Sequence, residues 1–294
     1  MISARSRLFL RGLALAVLAG AVVLAAGWFT GRGRPRRIPA PIWGITIDSV
    51  DPLDRIEEAL VGFRTKLTAR VVFDGGMKAL DYRPALERIA KHAWIMGEIV
   101  DSYDMKKYTL EQYHARTEEY WRDLGDLVNV WEIGNEVNGE WLGNRGDVAA
   151  KVIDANSYVK ARGGRTAVTP FFNPDCWSAP EEEMFGWIER YLPPAFRNSV
   201  DYVLISWYEE ECGWQKPDFT PVFLRLGKLF PRSKLGFGEV GAKKEALKPD
   251  CLRRYYGLRV NAPRYVGGYF WWFFNQDMLP KTKPMWQVLH DAVP

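Results

Sequence analysis

From residue 42 onward, short apolar runs rich in β-branched and aromatic residues alternate with longer stretches whose apolar positions recur every three or four residues. Runs of the first kind predict strands, and stretches of the second kind predict amphipathic helices. The strand candidates cover 42–48 (IWGITID), 69–74 (ARVVFD), 93–100 (AWIMGEIV), 128–136 (VNVWEIGNE), 166–173 (TAVTPFFN), 201–208 (DYVLISWY), 234–240 (KLGFGEV) and 265–274 (YVGGYFWWFF). Helix-like segments such as PLDRIEEALVGF, LEQYHARTEEYWRDL, DVAAKVIDANSYVKA and FTPVFLRLGKLF separate them, and PMWQVLHDAV closes the chain. Strand and helix alternating eight times imply a parallel sheet, and at this length a (β/α)8 TIM barrel is the economical solution. A doubly wound open sheet is the rival. The first strand, however, lacks the glycine-rich phosphate turn that often follows in such folds.

The N-terminal pattern is different. Residues 13–29 (LALAVLAGAVVLAAGWF) carry no charge, follow Arg5, Arg7 and Arg11, and precede Arg32, Arg34, Arg36 and Arg37. This predicts a signal-anchor or a cleaved signal peptide with a basic linker over 1–40, ahead of one catalytic domain over 41–294. Either form implies export, with the protein anchored in the membrane through this segment or secreted after cleavage. Seven of the 40 Lys and Arg fall in the first 40 residues, which hold no Asp or Glu, so the remainder has 33 positive against 36 negative groups. A mildly acidic body gives no electrostatic case for nucleic acid.

In an oxidising compartment, Cys176, Cys212 and Cys251 predict one disulfide and one free thiol. Loops after strands five and six are neighbours in a barrel, so Cys176 can meet Cys212; Cys212 with Cys251 is the alternative. No spacing among them suggests a metal site. His92, His114 and His290 all fall away from the predicted strand ends, and no G-x-S-x-G elbow appears. A carboxylate-only magnesium set of Asp48, Glu98 and Asp101 is conceivable, but solvated rim charges are the expected identity of all three. No cofactor or metal is expected.

Function in a barrel of this kind sits at the C-terminal ends of the strands. Glu136 ends the fourth strand and Glu239 the seventh, each after an apolar and glycine-bearing run that would bury it. A buried carboxylate needs partners or a use. Salt-bridged strand ends would be the purely structural account, weakened by the aromatic-rich eighth strand that joins the pair.

The motifs WEIGNE (131–136) and GFGEVG (236–241) resemble those of the retaining glycoside hydrolases of clan A. The resemblance implies that Glu136 is the general acid/base, Glu239 the nucleophile, and Asn135 the residue that bonds the sugar 2-hydroxyl. It also implies that Arg70 is the cation holding the nucleophile ionised and that Tyr208 donates to it. Ser206 stands where many members have a histidine. Trp271 or Trp272 matches the sugar platform of strand eight, and side-chain alternation favours one of the two, here Trp272. Independently of the resemblance, glycoside hydrolysis needs a proton donor and a negative group, which two carboxyls in different environments supply. Aromatic rings stack on apolar sugar faces. Trp141, Trp177 and Trp214, each just past a strand end, are candidate platforms, with ordinary loop packing as the competing reading.

The function that follows is a retaining, endo-acting β-glycosidase of an extracellular or cell-envelope polysaccharide, with a carbohydrate polymer or oligosaccharide as partner. NEVNGEW also resembles the strand-four region of family 26 mannanases, which keeps mannan among the substrates. A non-catalytic carbohydrate-binding barrel serving polysaccharide assembly or adhesion is the alternative.

Overall fold

The computed structural model describes residues 35–294, and the predicted signal or anchor run lies outside them. Among the described residues, no helix is long and apolar enough to cross a membrane. The barrel unit runs from Arg36 to Pro294.

Eight parallel strands close on themselves in the order β1 to β8. They are β1 Ile42–Ile47, β2 Thr68–Val72, β3 Trp94–Glu98, β4 Val130–Asn135, β5 Thr166–Thr169, β6 Tyr202–Trp207, β7 Lys234–Val240 and β8 Gly267–Trp271. All eight fall inside or within one residue of the expected runs; most are shorter, their flanking predicted residues belonging to the adjoining loops or, for Phe274, to the short helix Phe274–Met278.

The main intervening helices are α1 Leu53–Val61, α2 Ala79–His92, α3 Leu110–Leu124, α4 Arg145–Ala161, α5 Met184–Tyr191, α6 Phe219–Leu229, α7 Lys248–Tyr256 and α8 Pro284–Ala292. Several N-termini carry their own start signals. Thr109 and Gln112 form a reciprocal cap on α3, Asn144 Oδ1 accepts from Gly146 and Asp147 at the start of α4, and Asp218 caps α6. Each such cap contributes about 1 kcal/mol to its helix. His92 ends α2, where its ring meets Glu57 at 3.1 Å.

Strand alternation divides the apolar residues into two layers. Ile42, Met96, Val130, Ala167, Leu204 and Phe270 fill the barrel's interior. Ile45, Val71, Ile95, Ile133, Val203 and Phe237 face outward and pack under the helices. Both faces of every strand are therefore buried, which is why the strands read as nearly continuous apolar runs.

Two departures from strict alternation decide what the C-terminal end of the barrel looks like. Between β4 and β5 the register shifts, three steps from Glu132 to Asn135 matching two from Ala167 to Thr169. Between β6 and β7, Ser206 pairs with Glu239 although Ile205 pairs with Phe237, leaving Gly238 as the extra residue. Each is a β-bulge, which re-aims the side chains after it.

Candidate active site

The bulges bring the predicted residues together. By plain alternation Asn135 would share the outward side of Trp131 and Ile133, and Glu239 that of Leu235 and Phe237. The β4 bulge leaves Gly134 on the helix side, where a Cβ would lie 2.7 Å from both Val137 and Val152, and turns Asn135 inward opposite Thr169. The β7 bulge does the same for Glu239. Glu136 follows with φ 49°, in the left-handed region that a residue with a side chain adopts only when its surroundings impose it.

The strand ends open onto a cavity of about 450 Å³. Asn135, Glu136, Tyr208, Glu239, Trp141 and Trp272 all line it. Both carboxyls thus face one space, and both are almost fully buried, Glu136 at 8% and Glu239 at 4% exposure.

Their partners differ in kind. Glu239 Oε2 is 2.9 Å from Arg70 Nη1 and accepts from Asn135 Nδ2 at 3.4 Å; its Oε1 accepts from the Tyr208 hydroxyl at 2.7 Å. Burial raises its carboxyl, and the Arg70 charge and the Tyr208 hydrogen bond work against that rise. Among the described residues, Glu136 has no cation in hydrogen-bond contact. It accepts from Ser206 Oγ at 2.7 Å and Ser102 Oγ at 3.2 Å. Burial, then the charge of Glu239, push it up to about 8, and the two serine hydrogen bonds only partly oppose this. Of the two, Glu239 has its ionised form favoured by a guanidinium and Glu136 does not, so the arrangement favours the proton on Glu136 and the charge on Glu239.

Arg70 does more than the sequence suggested. It lies fully buried on β2 and pairs with three carboxyls: Glu239, Glu132 at 2.6 Å and Glu98 at 3.0 Å. Glu98 is thus not a solvated rim charge. It faces inward on β3 with no exposure, and burial lifts it well above the ordinary carboxyl range despite the guanidinium. The contact and the lift are compatible, because three acids share one cation and neither Glu98 oxygen has a hydrogen-bond partner among the described residues. Glu132 was missed in the sequence, yet its parity with Val130 on β4 marked it as inward and polar. Thr169 donates to its other oxygen.

Strand eight separates the two tryptophans. Trp272 lines the cavity with the Arg70 guanidinium 5.5 Å from its ring centre. Trp271, the other platform candidate, does not reach the cavity: it is fully buried, in the outer layer, and its indole donates to Asp277 at 2.8 Å. Of the three loop tryptophans, Trp141 lines the cavity and donates to Ser102 Oγ at 3.0 Å, while the exposed Tyr103 stacks on it at 5.9 Å. Trp177 and Trp214 are not among the lining residues, and Lys244 covers the Trp214 ring. Asn135 Oδ1 is buried without a hydrogen-bond partner among the described residues, an acceptor open to a ligand hydroxyl.

Cys176 and Cys212 form a disulfide that ties the loops after β5 and β6, and Cys251 is free and buried. Among the described residues, no group of three or more His, Cys, Asp or Glu is arranged to hold a metal ion.

No protein-family model and no curated protein matches the chain. Solved structures do. Gas2p of Saccharomyces cerevisiae in complex with laminaritriose and laminaritetraose superposes with a TM-score of 0.55 at 14% identity, covering 88% of this chain and 65% of that one. A variant of Gas2p in complex with laminaritetraose and laminaripentaose gives 0.55 at 14%, covering 85% and 62%. The chain spans less than two thirds of the length of these structures. The likeness is one of fold, and the fold is the barrel that the resemblance to clan A implied.

Proposed function

We propose that the protein is a retaining β-glycosidase, with Glu136 as general acid/base and Glu239 as nucleophile. The observation that carries this reading is the shared cavity with opposite environments: one carboxyl held by Arg70 and Tyr208, the other by hydroxyls alone. Such a division assigns the acid and the anion. Protonated Glu136 gives its proton to the glycosidic oxygen as Glu239 attacks the anomeric carbon, and the leaving sugar departs. Glu136, now ionised, takes a proton from water, whose oxygen displaces Glu239 and restores both carboxyls. Trp272 and Trp141 would stack on apolar sugar faces, and Asn135 would bond the hydroxyl beside the reacting carbon.

A β-linked polysaccharide of the exterior or the cell envelope is the proposed substrate, cut internally. Because Gas2p holds laminari-oligosaccharides, β-1,3-glucan is the first polymer to try, with β-1,4-glucan and mannan beside it. The test is incubation with aryl β-glycosides and these polymers, reading reducing ends and the anomer first released. Retention and endo products are expected, with Glu239→Gln inactive on every substrate. In Glu136→Ala, azide should restore turnover of aryl glycosides whose leaving groups need no proton. Binding of the polymers without any turnover would replace this reading with a carbohydrate-binding barrel. Inversion would also overturn it, since a retaining pair needs carboxyls about 5 to 5.5 Å apart.

A further inference from the structure

The two ends of the barrel carry opposite charge. The segments leading into the strands, from each helix's end to the next strand together with 35–41, hold ten Lys and Arg against two Asp. Those leaving the strands hold seventeen Asp and Glu against eight Lys and Arg. The catalytic rim is therefore net negative and the opposite face strongly positive, in a body whose overall charge is close to zero.

On the positive face, Arg64 and Lys66 precede β2, Arg162 precedes β5, Arg232 precedes β7 and Arg259 lies ahead of β8, and all five are exposed. Arg36 and Arg37, also exposed, lead into β1 at the same end. The two acids do not offset them, since Asp201 is engaged by Lys160 at 2.7 Å and Asp126 by Arg83. The face also has a cavity of about 400 Å³, lined by Trp43, Lys66, Thr68, Trp94 and the prolines of 39–41. Lys66 Nζ lies 4.8 Å from the centre of the Trp94 ring. Thr68 Oγ1 and Trp94 Nε1 are buried with no hydrogen-bond partner among the described residues, and Thr68 is only 1% exposed. Two unused donors beside a cation, framed by tryptophans, suit an anionic headgroup at an apolar boundary.

We infer that this face is a docking surface for an anionic phospholipid membrane, and that docking points the catalytic cavity away from the lipid. Charge complementarity carries the choice of partner, and the sequence adds a second argument. The uncharged run ends at Phe29, and seven residues further on, Arg36 begins the barrel unit at this same end. Seven residues reach at most about 25 Å, so a membrane holding that run would lie within reach of these cations. A nucleic acid or an acidic polysaccharide could use the charge but not the apolar cavity.

The test uses the full chain and vesicles of phosphatidylcholine, with and without phosphatidylglycerol, at low and high salt. Partitioning should favour the anionic vesicles, and salt should remove the preference. Replacing Arg64, Arg232 and Arg259 together by Gln should cut the preference for anionic vesicles at least tenfold, given about fivefold per cation near a charged surface. Melting temperature reports whether the variant is folded. Lys66→Gln, a single change at the cavity, provides a second variant that should lose part of the same preference. Equal binding to neutral and anionic vesicles would overturn the inference. So would a preference that survives both variants, or tighter salt-sensitive binding to a soluble polyanion than to the vesicles. Since none of these residues touches the catalytic cavity, turnover of a soluble glycoside should be unchanged throughout, so failure of the glycosidase reading would be seen separately.

Discussion

Ser206 Oγ donates to Glu136 Oε1 at 2.7 Å, from the position where the resemblance to clan A leads one to expect a histidine. A hydroxyl bonded to a carboxylate favours its ionised form without adding charge. Ser206→Ala removes that bond, so the Glu136 carboxyl should rise further above its ordinary value. If Glu136 is the acid as proposed, the alkaline limb of kcat/KM should reflect loss of its proton, which burial and Glu239 push up to about 8, and in Ser206→Ala that limb should move to higher pH. A hydrogen bond to a charged group is worth ~1.5 kcal/mol, so the step in which Glu136 gives up its proton and becomes ionised should slow on the order of tenfold. An alkaline limb that stays in place would show that another group controls it.

Glu136 also costs stability, and the sign follows from its upward shift. The unfolded chain ionises near the ordinary carboxyl value, whereas the folded chain holds the proton up to about pH 8. Below the unfolded value there is no penalty; it grows as pH rises through the interval and is full above about 8. Glu136→Gln, neutral at every pH, should therefore melt higher than the wild type at pH 7.5, by at least about 2 °C. The gain should shrink toward zero near pH 4.5. Equal gains at both pH values would mean the benefit comes from packing instead.

Arg70 holds three buried acids, so its loss is a matter of folding as much as of catalysis. Removing one partner of a buried ion pair costs about 3 to 5 kcal/mol, because the remaining charge is left uncompensated. Arg70→Met should lower the melting temperature by about 10 °C or prevent folding. Adding Glu132→Gln should recover part of the loss, by removing one of the stranded charges. If the double variant melted lower than the single one, Glu132 would be stabilising the site by some route other than Arg70.

The barrel was legible because both faces of each strand are buried: an apolar run of five or six residues between amphipathic helices fits a strand covered on both sides and little else. Cys176 with Cys212 was legible for a topological reason, adjacent loops in a closed sheet. The side on which a residue points was less so. Period-two reading sends Asn135 and Glu239 outward, and the register shifts that reverse them depend on pairing with β5 and β6, which local sequence does not encode. Glu98 eludes a local reading for a related reason. It shares the inward side of Met96, two register steps back, and its partner Arg70 stands opposite Met96 on the neighbouring strand, a pairing that local sequence does not encode. Between Trp271 and Trp272 the outcome followed from how β8 ends, with Trp271 as its last paired residue.

Gly238 is the residue on which the placement of Glu239 turns. It occupies the extra position of the β7 bulge, and a Cβ there would lie 2.8 Å from Thr169 Oγ1 and 2.9 Å from both Leu204 Cβ and the Leu204 carbonyl oxygen. The carbonyl belongs to the neighbouring strand and cannot rotate away, so Gly238→Ala should push β7 off β6 by a few tenths of an ångström. Glu239, the next residue, would then shift against Arg70 on β2 and Tyr208 just past the end of β6. A nucleophile misplaced by about 1 Å can lose 100-fold in rate, and a smaller shift correspondingly less. The expected outcome for Gly238→Ala is a kcat lower by tenfold or more with KM changed little. Gly186→Ala, on helix α5 with only ordinary contact to Glu183, should behave as wild type. A Gly238→Ala enzyme with full kcat would show that the bulge tolerates a side chain and that Glu239 is held in place by its hydrogen bonds alone.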